Sequence, residues 1–191
     1  VTPQALVRNN GNTTITFPVR FEISDGYLDD TTITLDAGTQ TLVNFALWAA
    51  NTSGSLVSKC STQLNSDMNP ANDKAACSVL VQYLDVQAIA IISPIGNFYL
   101  GDTATPQVIF RNNGNTAQTF PVRFSISDGY SDIRTINNLL PGDTTLVSFN
   151  QWTADSIGTF ETKCSTQLTG DMNPANDQQT GSIFIGFYDV G

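Results

Sequence analysis

Histidine is missing from all 191 residues. A Ser–His–Asp or Cys–His nucleophile and an imidazole-ligated metal centre are excluded with it. Basic side chains are scarce, with 8 Lys+Arg against 17 Asp+Glu and a formal net charge of −9. Too few cations remain to neutralise a phosphate backbone or an anionic lipid surface, so nucleic acid is not an expected partner. No apolar run approaches the ~20 residues of a helical membrane span, so membrane insertion is not expected either. Charged residues of both signs make up only 13% of the chain. What replaces them is amide and hydroxyl: 17 Asn and 24 Thr. Threonine is β-branched and suits a pleated surface with one wet face.

The chain repeats itself. Residues 2–35 align with 105–138, and residues 37–86 with 141–190 after a single inserted residue; 47 of the 84 aligned positions are identical. Two copies this similar predict two domains of one fold, with residues 1–86 as the first and 87–191 as the second. Within each copy the apolar period is 2. Ile15, Phe17, Val19, Phe21 and Ile23 alternate with Thr16, Pro18, Arg20 and Glu22, and Phe120, Val122, Phe124 and Ile126 repeat the pattern. That is the signature of a half-buried strand. Further strands are predicted over residues 4–8, 31–35, 41–48, 56–64 and 76–84. Between them lie clusters of Asn, Asp, Gly and Ser, which supply the backbone freedom and local side-chain bonds of turns. Strands at such spacing, with no helical stripe, predict an all-β chain of two tandem immunoglobulin-like antiparallel β-sandwiches. Residues 85–95, mostly apolar over 86–92, read as the first strand of the second domain, with Pro94 confined to an edge or a strand end. No flexible spacer joins the copies, so a stiff joint is expected.

Two blocks carry a family resemblance. Thr-Pro-Gln-x-x-x-Arg-Asn-Asn-Gly-Asn-Thr occurs at 2–13 and again from 105, and Cys-Ser-Thr-Gln-Leu-x-x-Asp-Met-Asn-Pro-Ala-Asn-Asp at 60–73 and from 164. Copy by copy, nearly the whole chain resembles the CARDB domain, the cell-adhesion-related domain of bacteria. The shared motifs are turn chemistry, which specifies a fold better than an activity. The resemblance implies a tandemly repeated module of secreted or cell-surface proteins, and it brings no catalytic residues.

Several side chains are candidate sites. A hairpin centred on Met68–Asn69 would set Cys60 opposite Cys77, in reach of a cross-strand disulfide; otherwise both are small buried residues. The second copy keeps Cys164 but has Gly181 in place of Cys77, so Cys164 is expected to be a buried free thiol. Asp67, Asn69 and Asp73, with Asp171, Asn173 and Asp177 in the second copy, offer oxygens to Ca2+, although no EF-hand spacing is present and turn closure is the ordinary role of such residues. No resident cofactor is expected. Asn12 and Asn51 begin sequons permissive for N-glycans. Tyr27 and Tyr130 follow Asp-Gly at a hairpin tip, where an aromatic ring can anchor an interface or stack on a sugar. Trp48 and Trp152 more simply plug the end of a core. The Asp29/Asp30 pair recurs only as Asp132 and reads as solvated charge.

A non-catalytic structural or adhesive repeat, secreted or at the cell surface, is therefore expected. The alternative is a glycan-binding or spacer module of a secreted protein. Copy one opens at Val1, which aligns with Ala104, so it lacks the strand that begins copy two. The residues near Gly191 align with those leading into that strand. An unpaired edge is a liability, and the expectation is head-to-tail stacking: either the chain continues covalently into further repeats, or separate subunits abut into a filament through a contact that does not close on itself.

Overall fold

The computed structural model describes residues 1–189. Two compact units are present, Val1–Val81 and Gln82–Gly191. The division falls five residues before the expected one, because residues 83–85 are bonded into the second unit by its loops.

Unit 1 contains β1 (Gln4–Arg8), β2 (Ile15–Ile23), β3 (Leu28–Leu35), β4 (Gln40–Asn44), β5 (Gly54–Thr62) and β6 (Lys74–Val81). β1 pairs with β4 alone, and the second sheet runs β3–β2–β5–β6; every pairing is antiparallel. The period-2 pattern of β2 sends Phe17, Val19, Phe21 and Ile23 inward, where they meet Val7 of β1 and Val43 of β4. Burying a side chain of this size contributes about 1.5–3 kcal/mol. Strand 41–48 was expected to run on to Trp48, but the ladder ends at Asn44. There Phe45 donates to the Pro3 carbonyl and Ala46 to an Asp29 carboxylate oxygen, which turns the chain out of the sheet.

Unit 2 contains β7 (Val86–Ser93), β8 (Gly96–Tyr99), β9 (Thr103–Ala104), β10 (Gln107–Asn112), β11 (Gln118–Ile126), β12 (Ser131–Leu139), β13 (Thr144–Ser148), β14 (Trp152–Thr153), β15 (Gly158–Thr166) and β16 (Gln178–Gly186). Its sheets run β13–β10–β7 and β12–β11–β15–β16–β8, with a short β14–β9 pair. The unit 1 strands β1 to β6 correspond in sequence to β10, β11, β12, β13, β15 and β16. β7 extends the smaller sheet along β10, and β8 lies parallel to β16. The effect on the core is direct. Ile183 and Ile185 of β16 are buried, whereas their counterparts Val79 and Val81 of β6 are half-buried; Cys164 is fully buried, and its counterpart Cys60 is not.

Candidate functional site

Polar residues common to the two units gather at one end of each sandwich, where the Asn-Asn-Gly-Asn turn meets the Asp-Met-Asn-Pro loop. In unit 2 the turn is built on Asn112, which is completely buried. Its amide nitrogen donates to the carbonyls of Thr116 and Leu139, both at 2.8 Å, and its oxygen accepts from the Gly114 amide at 2.9 Å. Buried polar groups must be paired in this way. Asn9 repeats the arrangement in unit 1, donating to Thr13 and Leu35 and accepting from Gly11. The loop opposite is a 3-10 turn, Pro174–Asn176 in unit 2 and Pro70–Asn72 in unit 1. Asp171 and Asp67 each accept from the amide two residues ahead, and Asp177 and Asp73 each accept from a threonine hydroxyl, Thr166 and Thr62.

Between turn and loop, unit 2 grips the strand leading into β7. The Tyr83 carbonyl accepts from Asn115, the Leu84 carbonyl from Met172, and the Asp85 carbonyl from both Asn113 and Gly114, at 2.8–3.0 Å. The Val86 amide donates to the second carboxylate oxygen of Asp171, and the Asn176 side chain donates to the buried Asp85 carboxylate. The strand passes so close to Gly114 that a Cβ there would meet the Tyr83 carbonyl oxygen at 2.6 Å and the Asp85 nitrogen at 3.2 Å. Burial, with Asp171 and Asp85 nearby, raises the Asp177 carboxyl above its ordinary range, and the Thr166 hydroxyl pulls the other way. In unit 1 the same turn and loop border an open groove of about 800 Å3 that runs along β1 and β6.

Other candidate residues fall in different places. The Cys60–Cys77 bridge is corrected: β5 and β6 set Cys60 opposite Ala75 and Cys77 opposite Ser58, and both cysteines are free. Asp73 is the reason. It binds Thr62 through backbone and side chain together, which centres the hairpin one residue earlier and moves the partners by two. A diagonal pair of this kind is about 7–8 Å apart, beyond the usual disulfide span. The Cys77 sulfur lies 2.9 Å from the Ser58 hydroxyl instead. Cys164 is buried, and burial pushes its thiol up to about 11. Tyr27 and Tyr130, the candidate interface residues, are partly exposed. Each donates its hydroxyl to its own unit, to the Ala46 and Asn150 carbonyls at 2.6 Å, and packs edge-on against Phe21 or Phe124. Trp48 and Trp152 are buried, their indole N–H groups donating to Asp25 and Asp128. Asp29 accepts from Ala46, and Asp30 pairs with Arg20 across β2 and β3. Asn12 and Asn51 are exposed on loops. Among the described residues no three His, Cys, Asp or Glu side chains converge as metal ligands. Val190 and Gly191, included in the head-to-tail expectation, lie outside the described residues.

The importance of Asp85, Gly114 and Asn112 was not legible in the sequence, because the turn read only as turn chemistry. The available signal was the identity of Asn-Asn-Gly-Asn in both copies, where the strand before it diverges.

No family model matches the chain. No curated protein matches it. Solved structures do resemble it. A crystal structure of the CARDB domain of the PF1109 protein from Pyrococcus furiosus, in complex with di-metal ions, is 15% identical, with a TM-score of 0.44 over 56% of this chain and 94% of that one. The solution structure of the same domain gives 15% identity and a TM-score of 0.41 over 55% and 93%. The calcium binding domain CBD12 of CALX1.1 gives 11% and 0.36 over 89% of this chain and 76% of that one. The chain is similar in fold to CARDB domains, and the likeness ends there.

Proposed function

We propose that the chain is a non-catalytic structural or adhesive module, secreted or held at a cell surface, whose copies join head to tail. One observation carries the reading. Unit 2 covers its sheet edge and seam with β7 and β8, whereas the matching face of unit 1 is an open groove beside an unpaired β1 edge. Unpaired strand edges recruit further strands. A contact between the open end of one copy and a different surface of the next repeats without closing, which generates filaments. The low charge and hydroxyl-rich surface suit packed repeats more than a catalytic cleft.

The test is sedimentation of the purified chain over a wide concentration range, with negative-stain microscopy of the concentrated sample. Ordered linear assemblies are expected. A monodisperse monomer at every concentration overturns the reading.

A further inference from the structure

We infer that unit 2 carries a binding site for a neutral, hydroxyl-rich ligand of the glycan class, built on a one-residue insertion in β12 beside the 140–143 turn. The inference goes beyond the structural reading above and does not depend on how copies join.

The insertion is where the repeat breaks. In unit 1, Phe17 faces Ile33 and Ile15 faces Leu35, so Thr16 has Thr34 opposite it, their hydroxyl oxygens 2.7 Å apart. In unit 2, Phe120 faces Ile136 but Gln118 faces Leu139, so Thr119 has both Asn137 and Asn138 opposite it. Two residues against one make a β-bulge, a device that re-aims side chains. The Thr119 hydroxyl accepts from the Asn138 backbone amide at 2.9 Å, where Thr16 meets a second threonine. Asn138 has a φ of 50°, and among the described residues no other non-glycine has a positive φ. Left-handed backbone at a residue with a Cβ costs stability. The side chains recover nothing inside the fold. Neither carboxamide has a hydrogen-bond partner among the described residues, and both residues are exposed.

What the two amides do line is a cavity of about 480 Å3 along β12 and β13, a size that suits a small ligand. The rest of its lining decides the ligand. Thr135 adds a hydroxyl and Asp143 a carboxylate, neither of them bonded within the fold, and Leu140 adds an apolar edge that is 51% exposed. Carboxamides and hydroxyls both donate and accept, and a carboxylate accepts only. That set matches the hydroxyls of a sugar, which also donate and accept, and Leu140 suits the C–H face of its ring. Other classes fit poorly. No Lys or Arg lines the cavity, so phosphate or another anion would meet Asp143 unscreened. One carboxylate is a poor holder of Ca2+. A hydrocarbon would bury the amides without partners.

The test titrates the full chain with the methyl glycosides of glucose, galactose, mannose and N-acetylglucosamine, followed by amide NMR, with inorganic phosphate and Ca2+ added separately. The Asn137 and Asn138 side-chain amide signals should shift and saturate with at least one glycoside and with neither ion. Two variants separate the site from the fold. Asn138→Gly accepts a positive φ without strain and removes one carboxamide. Its binding should weaken about fivefold, as for the loss of one neutral hydrogen bond, while the unit 2 unfolding midpoint holds or rises. Deletion of Asn138 together with Asn137→Thr restores the register of unit 1 and should abolish saturable binding. No saturable shift with any of the four glycosides overturns the inference, and so does undiminished binding by Asn138→Gly. Saturation by phosphate or by Ca2+ alone overturns it in favour of an ion site. Head-to-tail assembly is read separately, by sedimentation of the same chain without glycoside.

Discussion

Alanine at Gly114 and alanine at Gly11 should have very different costs, although the two glycines sit in the same tetrapeptide turn. Both new methyl groups meet an asparagine oxygen at 3.0 Å, Asn112 in one case and Asn9 in the other, so that contact cancels in the comparison. What remains at 114 is backbone: the Tyr83 oxygen at 2.6 Å and the Asp85 nitrogen at 3.2 Å. Backbone held by bonds on both sides cannot swing away as a flexible side chain can. Relieving the clash must lengthen the bonds from Asn113, Gly114 and Asn115 to residues 83 and 85. Overpacking of this kind costs about 1–3 kcal/mol. In a domain of this size each kcal/mol lowers the unfolding midpoint by about 4–8 °C. Each unit has one tryptophan, Trp48 or Trp152, so the Trp48→Phe background reports unit 2 and the Trp152→Phe background reports unit 1 by fluorescence. Gly114→Ala should lower the unit 2 transition by that amount, and Gly11→Ala should leave the unit 1 transition within about 0.5 kcal/mol of its parent, as for surface substitutions. Equal losses would refute the reading, because they would place the constraint in the turn itself and not in the strand beside it.

Asp128→Ala should strip the buried Trp152 N–H of its acceptor and cost unit 2 about 1–3 kcal/mol in urea unfolding, with Asp25→Ala doing the same to unit 1 through Trp48. Thiol labelling should proceed in the order Cys77, Cys60, Cys164, the last reacting only on unfolding, and a reducing agent should leave the unit 1 melting temperature unchanged. A drop on reduction would restore the disulfide. Burial raises the Asp177 carboxyl, so the folded state favours its protonated form. That contribution is complete below the ordinary value of 3.8 and is lost as pH rises through the raised one. Asp177→Asn keeps an acceptor for Thr166 and should therefore raise the unit 2 midpoint at pH 7 and flatten its dependence between pH 4 and 7.

Strand content was legible where side-chain alternation was strict. β1 and β2 match the sequence expectation at both ends, because their inward residues are apolar without exception. β4 was overextended, since Phe45 and Trp48 are buried from a loop and apolar spacing cannot tell a loop from a strand. The β5–β6 register is closed by the Thr62–Asp73 bonds at its loop end, which the apolar pattern does not reveal. Tyr27 and Tyr130 looked like free aromatics at a turn; their partners are main-chain carbonyls about 20 residues away, which local sequence does not reveal. The grip on the strand leading into β7 was hidden for the same reason, as its donors are mostly backbone amides, which every residue but proline has. Its side-chain members, Asp171 and Asn176, were visible only as parts of a polar loop.

The route of the chain through unit 2 has a mechanical consequence. It enters at Asp85, beside the 112–115 turn, and leaves at Gly186, which lies by Tyr99 and Leu100 at the opposite end of the sandwich. A pull applied through these two points acts along β7 and β16, not across them. The β7–β10 and β16–β15 ladders are then loaded in shear, and many bonds must fail together. Peeling would break them one at a time at much lower force. The buried Asp85 sits at the point where tension enters, tied to the loop by Asn176 and followed by the Val86 amide on Asp171. A unit threaded in this way can bear tension between those two points while its core stays packed.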